Sequence, residues 1–314
     1  MSEKKRLAIF SREPRERIAL HFADDFEIAL VTQDPRALVE WAESRGIDAA
    51  ALCEPGEGLP EQLELADILI EFGIDVFVLR PSVHKIVEQL GLVRKFVNGK
   101  PLLALPASPI NATITRGKRA CDVIFSTLII VLGMPLWILI ALAIALQDGK
   151  RVFFTQHRVR SGGGIFKMMR FRTQWRGRRP FRLLSMLNLE DPEHPELTPV
   201  GRLLKRVRLD ECPQFWHALK GQISVVGPRP PLVSDVEWYQ PWHRQRLAAW
   251  FGVTGLCQAC GLTGEDRLDE IALYDILYLR NHSLKLDFKI ALKTAGAIFR
   301  KREPVEQPKK LQSS

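Results

Sequence analysis

The run Arg208-Leu209-Asp210-Glu211-Cys212-Pro213-Gln214 sets two adjacent carboxylates ahead of a short apolar stretch, Phe215 to Leu219, that stops at Lys220-Gly221. This order predicts a helix. Asp210 suits an N-cap, Pro213 falls in the first turn where its missing donor costs nothing, and Gly221 is placed to end it. Free backbone donors and the positive end of the helix dipole would lower the pKa of Asp210 and draw a phosphate to the same spot. An ionised carboxylate there can attack phosphorus, and its neighbour can bind Mg²⁺ or handle protons. Taken alone, the pair is weak testimony, because acidic residues in a first turn are ordinarily caps. His217, on the same predicted helix, reads as a surface histidine before a site residue.

A second candidate follows in Val226-Gly227-Pro228-Arg229-Pro230-Pro231, where one arginine stands between prolines. Proline fixes its own φ and restricts its predecessor, so Arg229 is presented from a stiff backbone and its planar fork of donors suits a phosphate. A rigid surface turn would carry the same residues. Upstream lies a dense basic stretch: His157, Arg158, Arg160, Gly162-Gly163-Gly164, Lys167, Arg170, Arg172, Arg176, Arg178 and Arg179. Both phospholipid and nucleic acid attract such a run. Nucleic acid is the weaker partner, since no nucleic-acid module accompanies it and Phe153, Phe154, Phe166 and Phe171 are explained by packing at a membrane interface.

The element positioning these groups is apolar. Val123 to Leu146 is about 24 residues without a charge, enough at roughly 1.5 Å per residue to cross a hydrocarbon core of about 30 Å. It shows no polar face, as a soluble helix would. Lys118 and Arg119 precede it, and Lys150, Arg151, Arg158 and Arg160 follow it, so both flanks carry charge normally kept in the cytoplasm. Pro135, with Gly133 just before it, removes a backbone donor in mid-run. These features predict a broken helix over about 120–147 that enters the membrane, turns and leaves on the same side; a kinked spanning helix is the alternative.

Residues 1–105 read differently. Leu7 to Phe10, Glu27 to Thr32, Ala49 to Cys53, Val76 to Leu79 and Leu102 to Leu105 look like buried strands, and Pro35 to Arg45, Leu59 to Phe72 and Ser82 to Leu90 have helical spacing. The alternation predicts an α/β unit with an open parallel sheet, Rossmann-like or flavodoxin-like. Ser11-Arg12-Glu13-Pro14 after the first strand has no glycine-rich phosphate loop, which favours a packing or regulatory domain. Residues 106–117, with two prolines and small polar residues, form a linker, and 301–314 a basic tail.

The formal charge of +9 over 314 residues favours an anionic partner. The five cysteines have no disulfide-rich spacing, and Met1 to Phe10 lacks the apolar core of a cleaved signal, so the polar parts are expected to be cytoplasmic. Cys257-Gln258-Ala259-Cys260 has no second pair and is not expected to hold zinc. Trp238, Tyr239, Trp242 and Trp250, with His243, Arg244 and Arg246, predict a helix lying at the membrane interface.

In order along the chain, Lys118-Arg119 with Asp122, Val152-Phe153-Phe154 with Gln156 and Arg158, Arg170-Phe171-Arg172-Thr173, Leu197-Thr198-Pro199-Val200-Gly201-Arg202, Leu209-Asp210-Glu211 with Pro213-Gln214, Val226-Gly227-Pro228-Arg229-Pro230, Thr254-Gly255 with Gln258, and Asp287 with Thr294 resemble the bacterial sugar transferases, the polyprenyl-phosphate hexose-1-phosphate transferases. The resemblance implies that residues 118–300 form a mostly α, monotopic membrane domain with a re-entrant, Pro135-broken helix at the cytoplasmic face of a bacterial inner membrane. It implies that Asp210, paired with Glu211, attacks a UDP-sugar, releases UMP, and passes a phospho-sugar to undecaprenyl phosphate in exopolysaccharide, O-antigen or other glycoconjugate assembly. Mg²⁺, contacting Asp210, would be the cofactor, and Arg170, Arg172, Lys205 and Arg229 would bind phosphate. Homo-oligomerisation is left open. Met134, Arg170, Lys205 and Phe251 depart from the family pattern, and lysine cannot reproduce a bidentate arginine contact. The alternative is a catalytically silent membrane scaffold or regulator of polysaccharide assembly; the intact dyad and proline-flanked arginine favour the enzyme.

Overall fold

The computed structural model describes residues 4–11, 14–53, 59–81, 83–107, 115–149, 151–160, 163–175, 197–262 and 268–298. Arg176, Arg178, Arg179, Lys150, Gly162 and the 301–314 tail lie outside them, as does most of the expected linker.

Short β-branched and apolar runs give β1 (Arg6–Phe10), β2 (Glu27–Thr32), β3 (Ala49–Leu52), β4 (Asp75–Leu79), β5 (Val93–Val97) and β6 (Lys100–Leu105), interleaved with α1 (Arg15–Ala19), α2 (Pro35–Glu43), α3 (Leu59–Glu71) and α4 (Lys85–Gln89). They make one six-stranded sheet in the order β2-β1-β3-β4-β6-β5. The pairings among β1 to β4 are parallel, but β6 runs antiparallel to both β4 and β5. The expected all-parallel sheet is therefore corrected at one edge. Asn98 and Gly99 both have positive φ, the two-residue turn that matches strand twist, and they fold β5 back onto β6.

Alternation divides the sheet between two cores. Leu7, Ile9, Ala49 and Ala51 face Ile18 and Phe22. Ala8, Phe10, Ala50 and Leu52 face Leu38, Leu63 and Leu69, in a cluster that continues into Trp242, Tyr274 and Leu277, beyond the long apolar segment in sequence. Polar contacts seal the junction: Asn281 donates to the Ala104 carbonyl at 3.1 Å, Arg280 to Pro106 O at 3.0 Å, and Gln245 to Asp67 at 2.7 Å.

The apolar segment forms α5 (Arg116–Asp148), capped by the Thr115 side chain on Lys118 N, with Pro135 inside it. The expected interruption at Pro135 is corrected to a helix that continues past the proline. Its polar ends grip one body. Lys118 pairs with Asp287 and donates to Val226 O, Arg119 donates to the carbonyls of Ala218 and Leu219, and Asp122 accepts from Ser224 and Val225 N. At the other end, Ile140 and Ile144 pack with Phe171 and Leu204, while Arg172 takes both the carboxylate and the carbonyl of Asp148. Between the ends, Val131, Leu132, Met134, Leu136, Ile138 and Leu139 are exposed.

The remaining body is α+β, not mostly α. β7 (Phe153–Val159) and β8 (Ile165–Phe171) form an antiparallel hairpin. α6 (Pro199–Arg206), a 3₁₀ turn at Leu209–Glu211 and α7 (Gln214–Leu219) lead to β9 (Ser224–Val226), which pairs in parallel with β10 (Gly252–Thr254). α8 (Val233–Val236) and a 3₁₀ stretch, Pro241–Ala248, lie between those strands; α9 (Leu256–Ala259), α10 (Leu268–Arg280) and α11 (Leu284–Ile298) follow. The expected interface helix is overturned here. Trp242 is 0% exposed, and Arg246 reaches Tyr239 OH at 2.7 Å and the buried Asp275 carboxylate, so this segment is core; among its aromatics Trp238, at 79%, is the exposed one.

Candidate active site

Arg208 has φ +55, a left-handed conformation that costs a residue with a Cβ free energy, and it turns the backbone into the 3₁₀ turn holding both carboxylates. The N-cap of α7 is Pro213, not Asp210, and no side chain caps it. Asp210 is thus no helix cap. It is 4% exposed, with Lys205 Nζ of α6 at 3.6 Å from Oδ2. Burial, together with the neighbouring Glu211 charge and against the pull of Lys205, raises its pKa, the reverse of the sequence expectation. Gly221, with φ +75, does end α7 as expected.

Glu211 has the opposite electrostatics. Burial pushes its carboxyl up, but Arg170 and Arg229, helped by Lys205 and Arg208, reverse that and hold it at about 2. Arg170 Nη1 lies 3.1 Å and Arg229 Nη2 3.7 Å from the same oxygen, Oε1. Arg170 stands near the end of β8, and Arg229 on the loop after β9, so one carboxylate ties together two segments distant in sequence. With both carboxylates ionised, Lys205, Arg170, Arg229 and Arg208 still outnumber them, leaving a positive excess suited to phosphate.

Two devices hold the Arg229 loop. Arg158, buried on β7, donates to Pro230 O at 2.8 Å and to Gln156 Oε1 at 2.8 and 3.2 Å, and Val159 N donates to Pro231 O at 3.1 Å. Gly227 lets β9 touch β10, since a Cβ there would collide with the backbone oxygen of Trp250.

Of the expected site residues, the structure brings together Asp210, Glu211, Lys205, Arg170 and Arg229. Arg172 is engaged instead at the end of α5 with Asp148. Pro135 sits in the exposed apolar part of α5. Local patterning assigned Arg158 no positional role, although Phe154, Gln156 and Arg158 alternate with outward neighbours along β7. His217 is 7% exposed, against the surface position expected of it. Cys257 and Cys260 are buried; burial, then Asp275, pushes the Cys257 thiol up as it donates to that carboxylate. No cluster of three or more His, Cys, Asp or Glu side chains poised for a metal occurs among the described residues.

These features define a class: an α/β protein in which a carboxylate pair, Asp210 buried and Glu211 half-buried, sits among arginines, beside a helix long and apolar enough to cross a membrane. The chain belongs to the bacterial sugar transferase family, whose sequence profile matches residues 113–301. It is 35% identical over 205 residues to a UDP-glucose:undecaprenyl-phosphate glucose-1-phosphate transferase of Klebsiella pneumoniae, covering 63% of this chain and 43% of that protein. It is 31% identical over 197 residues to an undecaprenyl-phosphate galactose phosphotransferase of Salmonella typhimurium, covering 59% of this chain and 40% of that protein. The exopolysaccharide production protein ExoY of Rhizobium meliloti is 32% identical over 192 residues, 58% of this chain and 84% of ExoY. The chain thus spans less than half the length of the first two relatives.

Proposed function

We propose that the protein transfers a sugar-1-phosphate from a UDP-sugar to undecaprenyl or a similar polyprenol phosphate, an early membrane step of polysaccharide or glycoconjugate assembly. The observation that carries this reading is Glu211 held between Arg170 and Arg229, beside a buried Asp210, in a body attached to an apolar helix.

An Asp210 oxygen attacks the phosphorus that bears the sugar, forming an acyl-phosphate bond. The bond from that phosphorus to the bridging oxygen breaks, and UMP leaves with the electron pair. An oxygen of the lipid phosphate then attacks the same phosphorus, expelling the Asp210 carboxylate and giving a polyprenyl diphosphate sugar. Arg170 and Arg229 hold the charged phosphoryl oxygens, and Lys205 favours the Asp210 carboxylate against its burial. Asp210 would be the protein ligand of a Mg²⁺ ion whose other ligands would be substrate phosphates and water, and such an ion would supply neutralisation of the diphosphate charge.

The membrane attachment is read as re-entrant. Both ends of α5 are fastened to the same polar body, Lys118 to Asp287 and Asp148 to Arg172, and that body cannot stand on two sides of a bilayer. Pro135, which offers no donor to the Val131 carbonyl, is the weakest point of the continuous helix and lets it kink within the lipid. The body then lies on the cytoplasmic face of an inner membrane.

The test is UMP release from a panel of UDP-sugars with polyprenol phosphate, in membranes or detergent, alongside Asp210→Asn. Full activity in that variant would remove the nucleophile; no UMP from any sugar nucleotide would leave the scaffold reading.

A further inference from the structure

His217 sits on α7, two turns beyond the dyad, and its ring is fixed at both nitrogens. Nε2 lies 3.0 Å from the backbone N of Met169, and Nδ1 lies 2.6 Å from Gln222 Oε1. A backbone N–H can only donate, so Nε2 carries no proton; the ring is neutral and its proton is on Nδ1, donated to Gln222. The Phe166 ring packs edge-on against it at 5.4 Å. Met169 faces Thr155 in the β7–β8 pairing and immediately precedes Arg170, whose guanidinium meets Glu211.

We propose that His217 is a positioning residue for Arg170: as a neutral imidazole accepting the Met169 N–H, it locks the end of β8 to the helix that follows the dyad. This rests on the transferase reading given above. The side chain takes no part in bond making. Its service is that the strand carrying one phosphate-binding arginine and the turn carrying both carboxylates cannot drift apart while Nε2 keeps its lone pair free. Protonation puts N–H against N–H, and the clasp opens.

The charged groups around it are few. Lys220 lies on its own helix; the elements packed on that helix bring Lys167 and Arg170 from β8, and Arg119 and Asp122 from α5. None is placed to reward a charged imidazole, and burial, with Lys220 adding to it, keeps the ring's pKa below the ordinary histidine value. The bond from Gln222 opposes this only in part.

Gln can offer an acceptor at the distance of Nε2 but does not titrate in this range, so the pair of variants His217→Gln and His217→Ala separates position from charge. With the full-length protein in detergent, wild-type UMP release should fall on acidification, along a limb that lies below the ordinary histidine value. His217→Gln should keep most of the activity at pH 8 and lose that acid limb. His217→Ala should lose about tenfold or more in kcat at every pH while its melting curve still shows a folded protein. An unchanged acid limb in His217→Gln, or full kcat in His217→Ala, overturns the proposal. A second readout does not need activity: ¹⁵N spectra of histidine-labelled protein, with His217→Gln identifying the resonance, should show a bare Nε2 and a protonated Nδ1 at pH 8. The opposite tautomer overturns the clasp even if no UDP-sugar is turned over, whereas absent turnover with the expected tautomer counts against the transferase reading alone.

Discussion

Lys118, in the first turns of the membrane helix, donates to Asp287 of α11 across 169 residues of chain, and the same carboxylate accepts from Tyr278 OH at 2.7 Å. Both partners are largely buried. A buried pair of this kind contributes little over an apolar replacement of both partners, but removing one partner strands a charge. Lys118→Met should therefore cost about 3–5 kcal/mol. Lys118→Met combined with Asp287→Leu should recover part of that loss in denaturant or thermal unfolding. A double variant less stable than the sum of both singles would contradict the pairing.

Asp210→Asn is predicted to be inactive and more stable. Its folded pKa lies above the ordinary carboxylate value, so between the unfolded and folded values the folded state binds more protons and stability falls as pH rises. At pH 7 an ionised Asp210 is thus a cost that asparagine removes. UMP release should drop by about a thousandfold or more, while the melting temperature at pH 7 rises; a lower melting temperature would mean that the carboxylate stabilises the fold.

Glu211 behaves in the other sense. Its folded pKa, at about 2, is below the 4.5 expected without neighbours, so its contribution to stability is complete above the latter and disappears as pH falls through the interval. Glu211→Gln should flatten that acid limb in pH-dependent unfolding. It should also release Arg170 and Arg229 from their shared oxygen and lower kcat by about a hundredfold.

Gly227→Ala tests the loop without touching a charge. The new methyl would meet the Trp250 backbone oxygen, forcing β9 off β10 and shifting Arg229. Activity should fall by about a hundredfold, with membrane binding retained; wild-type turnover would show that Arg229 does not depend on this contact.

Single cysteines replacing Arg116 and Arg151 should react with an impermeant maleimide from the same side of sealed inverted vesicles. Labelling from opposite sides would establish a spanning helix.

Most of the N-terminal elements were legible because short continuous apolar runs, buried on both faces, alternate with stretches of helical spacing. The β5–β6 edge was not foreseen, although Asn98-Gly99 is a strong hairpin signal; the charged, half-exposed β5, with Arg94 and Phe96 facing out, hides its strand character. The dyad was legible as chemistry but not as geometry. Helix-start rules placed Asp210 at a cap, and only the left-handed Arg208 delays the helix to Gln214. Arg172 and Trp242 were misplaced for a different reason: their partners, Asp148 and the shared core, are determined by tertiary contacts that a local pattern does not encode.

The core that Phe10, Leu52 and Leu69 share with Tyr274 and Leu277 also bears on how the chain is made. The amino-terminal sheet leaves the ribosome first, with one face still waiting for α10. The hydrophobic helix must be delivered to the lipid before that late helix arrives to cover it. Biogenesis therefore has a closing step: α10 has to seat itself on a sheet synthesised well before it, and a break between 107 and 115 would leave each half with a bare greasy face.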